Sequence, residues 1–292
     1  MFELSIQDLS NDDMLTNTLQ LTPSTDYTVT GIDGLAPPPA NVVGTSLTST
    51  DGQLINVHRI DVRDIVITVY INNPVEINRI KLYDFLHTKQ NVRLRFKNGT
   101  RDVIIEGYVE SFECDLFSMR QAAQITVKCL DPFFMGTTPQ HLELFTTEDK
   151  FQFAFKIPDP PQMEFSSRTK LADAQFAYNG HVPTGCEIQI QFDAEYNGII
   201  KITDTVKNKS MSINHHFLYQ DIVRINTNPG HKNIAITRNG QTSNLINALV
   251  DGSTWLTINR GKNSVVVTTP TNKGSINVIR SYMTVYNKYL GV

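Results

Sequence analysis

The chain has 292 residues, a formal charge of −3 and 40% hydrophobic residues. Such a length allows two domains with separate cores, and the composition is that of a globular chain and not a disordered one. The charge gives no general attraction for nucleic acid, and no apolar run approaches the roughly 18–20 residues that a membrane-spanning helix needs.

The N-terminal stretch MFELSIQDLSNDDML has acids where a secretory signal carries Lys or Arg, and it lacks an apolar centre. It reads as mature sequence of a protein that does not take the secretory route. The segment GLAPPPANVVGTSLTSTDGQ, 34–53, is the least regular of the first half and is expected to be an exposed arm or a flexible excursion. In DIVITVYIN, the side chains of Ile65, Ile67, Val69 and Ile71 share one parity, the pattern of a half-buried strand. NNPVEINRIKLYDFLHTK then predicts a short amphipathic helix. Asn73 is its cap, Pro74 its first residue and Glu76 its capping-box carboxylate, with Val75, Leu82, Tyr83 and Leu86 facing a sheet. NVRLRF returns to alternation, with Val92, Leu94 and Phe96 inward. Asn98-Gly99 predicts a tight hairpin with both turn residues at φ > 0.

Residues 107–136 hold two cysteines, several carboxylates and Phe133-Phe134, so they could be an active site or a hairpin. Ile125, Val127 and Cys129 share a parity, which puts Cys129 in the place of a buried aliphatic. Asp131-Pro132 ends the strand, because proline cannot donate to a ladder. The segment reads as the domain's last hairpin, with the phenylalanines pinning its end. Cys114, Cys129 and Cys186 have no metal-ligand spacing, and their odd number argues against a disulfide framework. All three read as small buried residues.

A break follows at MGTTPQ, 135–140, and a second at KIPDPPQ, 156–162, giving domains 1–135 and 136–292. Beyond the breaks the sequence is strand and turn. CEIQIQFD turns Ile188, Ile190 and Phe192 inward, and GIIKITD, DIVRINT, HKNIAITRNGQT, STWLTIN, NSVVVTT and SINVIRSYMTVYNKY continue the pattern. Short strands joined by Asn-Gly, Pro-Gly and Arg-Gly predict a β-sandwich or jelly roll.

Catalytic motifs are missing: the chain has no Gly-rich phosphate loop, HExxH, GxSxG or paired CxxC. His215 and His216 are adjacent on a strand and point to opposite faces, so they cannot share one ion. Asp193 and Glu195 could hydrolyse a glycoside only across a cleft of defined width, and beside Asn197-Gly198 they read as solvated loop residues. Trp255, the single tryptophan, is read as a packing residue. The sequons at Asn98 and Asn208 would need the secretory route. The expectation is a binding or assembly module with no catalytic residue, no metal and no cofactor. Residues 1–135 carry 11 Lys+Arg against 17 Asp+Glu, and the remainder 15 against 12.

The order of these segments resembles the distal tail proteins of long-tailed bacteriophages, the siphovirus-type tail component family. In the first domain the likeness rests on HRIDVRDIVITVYI, KLYDFL, VRLRF, RDVIIEGYVESFE and QITVKCLDPFF. In the second it rests on NGHVPTGCEIQIQF, INTNPGHKNIAIT, STWLTINRGKNSVVV and VYNKYLGV. Arg260-Gly261 stands where the family commonly has Pro-Gly, and residues 1–35 and the Pro-rich loop 36–53 match poorly. The resemblance implies a mainly β protein, with an N-terminal tail-tube-like β domain carrying one short helix and a C-terminal galectin-like β-sandwich. It implies a homo-hexameric ring at the tail tip or baseplate of the virion, made in the bacterial host cytoplasm. Such a ring joins the tail-tube protein to the tail-associated lysin or fibre protein, and in many phages it carries receptor-binding proteins. DNA would pass through its channel without specific binding, which an acidic first domain suits, and no membrane insertion is implied. The alternative is a carbohydrate-binding protein that recognises host-wall glycans through the sandwich, with Trp255, Tyr219 and Tyr196 as candidate platforms, since fold alone does not fix function.

Overall fold

The computed structural model describes residues 2–10, 17–46, 48, 51–144, 146–149, 166–169, 174–268 and 278–292. Their contacts divide the chain into two compact units, Met1–Thr138 with Lys288–Val292, and Pro139–Asn287.

Unit 1 contains β1 (Glu3–Asp8), β2 (Thr18–Thr22), β3 (Tyr27–Asp33), β4 (Ala40–Ser46), β5 (Gln53–Ile60) and β6 (Arg63–Ile71). Helix α1 (Val75–Phe85) follows, then β7 (Asn91–Lys97), β8 (Asp102–Cys114), β9 (Ala122–Cys129) and β10 (Phe134–Gly136). The main sheet runs β2-β1-β7-β8-β9-β6-β3, with neighbouring strands antiparallel. Period-two alternation builds its core. Leu4 and Ile6, Val92, Leu94 and Phe96, Ile125, Val127 and Cys129, and Ile65, Ile67 and Val69 are fully buried in one cluster. The parities of the strands that sequence alone had picked out all hold.

Unit 2 starts with β11 (Gln140–Glu143), β12 (Thr146–Asp149), β13 (Ser166–Thr169), β14 (Ala174–Tyr178), β15 (Glu187–Phe192) and β16 (Tyr196–Asp204). It continues with β17 (Lys209–Phe217), β18 (Ile222–Asn226), β19 (Asn233–Arg238), β20 (Gln241–Asn244), β21 (Gly261–Thr268) and β22 (Val278–Val285). One sheet has the order β11-β22-β15-β18-β19-β20 and a second β14-β21-β16-β17, while among the described residues β12 and β13 pair only with each other. The two larger sheets feed one core: Ile188, Ile190, Phe192 and Met283 come from the first, Ile202, Ile213, Phe217 and Val267 from the second. Two sheets sharing an apolar interior make a β-sandwich.

Several expectations need correction. The helix exists, but Pro74 and not Asn73 is its N-cap, and no side chain caps it. Leu82 and Leu86 are buried and Val75 and Tyr83 half-buried as expected, yet the helix also buries Asn78. The Asn78 amide donates to Asn72 O at 3.0 Å, and its own carbonyl accepts from the Tyr27 hydroxyl. Asn98-Gly99 does mark a hairpin, but neither residue has positive φ. The loop has four residues, and Asn98 Oδ1 accepts the Thr100 and Arg101 amides at 2.9 and 2.8 Å. Asn239-Gly240, between Arg238 and its partner Gln241, is the two-residue turn with both φ positive.

The irregular segment 34–53 supplies β4, which pairs with β5 as a separate two-stranded ribbon. STWLTIN is not a strand: Leu256 and Ile258 are buried, but the backbone bridges only at Ile258, to Thr184. β9 does not end the first domain, because β10 pairs with β8 and with β23 (Lys288–Tyr289). Residues 288–292, placed above with the second domain, therefore pack in unit 1. The second Pro-rich break, KIPDPPQ, lies outside the described residues.

Candidate assembly surface

The residues weighed for chemistry are dispersed. Cys129 and Cys186 are buried, and burial pushes their thiols up to about 12 and about 11; Cys114 is half-buried. Glu195 Oε1 lies 2.6 Å from His216 Nε2, an exposed pair, while the His215 and Phe217 rings meet edge to face with centroids 5.3 Å apart. Asp193 sits in the turn after β15. Trp255 and Tyr196 are half-buried and pack against the sandwich core, with Lys232 Nζ 5.7 Å from the Trp255 ring. Tyr219 is the exposed member of the three aromatics. Among the described residues no three His, Cys, Asp or Glu side chains gather as a metal site, and no helix is long and apolar enough to cross a membrane.

What the structure does assemble is a surface. Among the described residues the β4–β5 ribbon has no third strand, and Val42, Val43, Leu54, Ile55 and Val57 along it are all at least 48% exposed. An isolated hairpin is marginal in water and normally needs a further strand or a packed face. Exposed aliphatics on both strands of such an element mark a contact surface. The sequence hides this signal because the β-branched residues lie between a Pro-Pro-Pro run and a Ser/Thr-rich tip. A second exposed apolar feature caps the β8–β9 hairpin, where Phe117 and Met119 are fully exposed. That loop is held in shape by Ser118 Oγ, which donates to Arg120 O at 2.8 Å, and by Gln121, whose amide donates to Leu116 O.

The face of the unit 1 sheet opposite its core carries charge in pairs. Lys97 lies 3.2 Å from Glu3, Arg95 2.6 Å from Asp102, and Arg93 2.6 Å from Glu106; Lys128 reaches Glu110 and Asp64. The hydrogen bond from Arg95 holds the Asp102 carboxyl below its usual range. The basic groups of β7 and β9 are thus neutralised by carboxylates on the neighbouring strands.

The described residues thus form a sandwich unit and a sheet unit that carries an exposed apolar ribbon and a face of paired charges. Residues 179–286 match the sequence model of the siphovirus-type tail component, C-terminal domain. No curated protein sequence matches. Among solved structures the fold is similar to that of the SPP1 Dit (gp 19.1) protein, described as a paradigm of the hub adsorption apparatus in Gram-positive infecting phages. That match has a TM-score of 0.67 and 12% identity over 99% of both chains. It is also similar to chains of the phage P2 baseplate in its activated conformation with Ca and with Sr, each with a TM-score of 0.57 and 10% identity over the whole of both chains. At these identities the likeness is one of fold.

Proposed function

We propose that this protein is a distal tail protein, a structural hub at the tail tip or baseplate of a long-tailed phage. Six copies close into a ring that links the tail-tube protein above to a tail-associated lysin or fibre protein below and offers a seat for receptor-binding proteins. The observation that carries the reading is the β4–β5 ribbon, whose exposed aliphatics need a protein partner. Head-to-tail contacts that close by rotation let one chain type present two different surfaces, as a ring requires. The charge-paired face of unit 1 suits the wall of a DNA conduit, since phosphates find no unneutralised basic row there. The sandwich is read as the outward-projecting, galectin-like domain, and the place of action is the virion.

Light scattering after size exclusion tests the ring. The expected mass is about 200 kDa, six times the 32.9 kDa chain, or twice that for stacked rings. Ile55→Asp combined with Val57→Asp should leave a folded monomer. A ring that survives both changes would sink the role given to the ribbon.

A second reading, glycan binding by the sandwich, has Tyr219 in its favour. This exposed ring stands on a turn pinned by Gln220 N donating to Phe192 O and by Asp221 accepting the Leu218 amide. Glycan-array binding that Tyr219→Ala abolishes would support it, and a blank array would dispose of it.

A further inference from the structure

The last five residues are held in unit 1 by several kinds of contact at once. Lys288 and Tyr289 pair with Met135 and Phe134 in the β10 ladder. Lys288 Nζ donates to Asp131 Oδ2 at 2.8 Å, and the Arg101 guanidinium lies 4.7 Å from the centroid of the Tyr289 ring. Leu290 O accepts from Arg63 Nη2 at 2.6 Å, Gly291 O accepts from Arg101 Nη1, and Val292 N donates to Leu35 O at 3.2 Å. A side chain at position 291 has little room, because a Cβ there would stand 2.9 Å from Leu35 O.

Arg63 turns these contacts into a junction. It is only 3% exposed, and the Phe134 ring centroid lies 4.6 Å from its guanidinium. Besides Leu290 O, its Nε donates to Pro132 O at 2.7 Å, and its Nη1 donates to Gly34 O and, at 2.9 Å, to Ala36 O. Gly34–Ala36 is the root from which the ribbon departs. Gly34 has φ +89°, and a Cβ on it would collide with Asp64 O. The guanidinium's hydrogen-bond partners are neutral carbonyls from three chain segments. Withdrawing any one of them leaves a charged donor buried without an acceptor, which is costly. The ribbon root, the turn after β9 and the C-terminal segment are therefore interdependent.

We propose that this part of unit 1 is a peptide-recognition site whose ligand is the chain's own segment Lys288–Val292, and that its occupation fixes the root of the β4–β5 ribbon through Arg63. The site selects an extended peptide of the form Lys-Tyr-x-Gly. It offers Asp131 for the ammonium, Arg101 for the aromatic ring, guanidinium donors for two successive carbonyls and no space beyond hydrogen at the glycine. Binding of the segment and ordering of the root are reciprocally coupled. The inference concerns one copy of the chain and stands whether or not the ring reading does.

Hydrogen exchange on the full chain tests it. Arg63→Lys, which keeps the charge but loses the fork, is expected to raise exchange about tenfold in 34–46 and in 288–292, with the sandwich strands unchanged. Faster exchange at 288–292 alone would overturn the coupling. In a chain ending at Asn287, the synthetic peptide Asn-Lys-Tyr-Leu-Gly-Val should restore protection over 34–46 saturably, while the same peptide with Ala in place of Gly should not. A folded truncated chain with unaltered protection, or equal rescue by both peptides, would overturn the site. If that chain does not fold, the Arg63→Lys measurement decides alone.

Discussion

Asp221 shows how single residues set the stability of the sandwich. Its carboxylate is buried and accepts the Leu218 amide at 2.7 Å, Arg238 Nε at 2.9 Å and Arg238 Nη2 at 2.6 Å. Burial by itself would raise its pKa, but these hydrogen bonds hold it below the ordinary 3.8. Its stabilising contribution is therefore complete above about pH 4 and is lost as pH falls through the depressed folded value. Burial and the nearby Arg238 lower the pKa of His215 from the ordinary 6.5. The unfolded chain is protonated there first, so His215 contributes fully above pH 6.5 and progressively less below it. The melting temperature of unit 2 should accordingly fall between pH 7 and 5, and His215→Gln should flatten that limb. Asp221→Asn should cost about 2 kcal/mol in urea unfolding, less than a fully buried pair because Arg238 is partly exposed. The cysteines offer a simpler check. With Cys129 and Cys186 buried, a thiol reagent at pH 8 should label Cys114 alone in the native protein and all three in denaturant.

At the scale of elements, the same dipeptide does two different things. Asn239-Gly240 joins strands across a two-residue loop, which demands φ > 0, and Gly240 has φ +79°. Asn98-Gly99 lies in a four-residue loop where the Asn98 side chain organises the turn, and Gly99 needs no unusual backbone. Neither glycine has a heavy atom within 4 Å of where a Cβ would sit, so only conformation separates them. Gly240→Ala should destabilise by about 1 kcal/mol and Gly99→Ala by under about 0.5 kcal/mol, as urea midpoints will show. Loop length cannot be read from the dipeptide, because it depends on where the flanking ladder ends. Strand β17, of which the sequence assigns only the His215-His216 pair to a strand, makes the same point. Met211, Ile213 and Phe217 alternate into the core, but His215-His216 and the polar residues between them dilute the pattern.

For the molecule as a whole, the decisive feature is that unit 2 is inserted into a hairpin of unit 1. Phe134 pairs with Tyr289 and Met135 with Lys288, so the chain leaves unit 1 and re-enters it on adjacent antiparallel strands. A short Gly-Ser loop in place of residues 139–287 should therefore close that hairpin, giving a soluble protein with one cooperative melt. A broad, non-cooperative transition would show that unit 1 needs the sandwich in order to fold.

By itself the sequence determined the strands whose side chains alternate without interruption, such as those of Ile65 to Ile71, Val92 to Phe96 and Ile188 to Phe192, and with them a mainly β chain of two cores. Period-two burial is a local property, legible wherever one face of a strand is covered. It could not disclose the ribbon's pairing, the return of residues 288–292 or the burial of Arg63, which in HRIDVRDIV looks like one more surface charge. The hydrogen bond from Arg63 to Leu290 joins residues 227 positions apart. Only the closed tertiary fold brings together the carbonyls that let a guanidinium leave water, and nothing within a short window of the chain encodes that meeting.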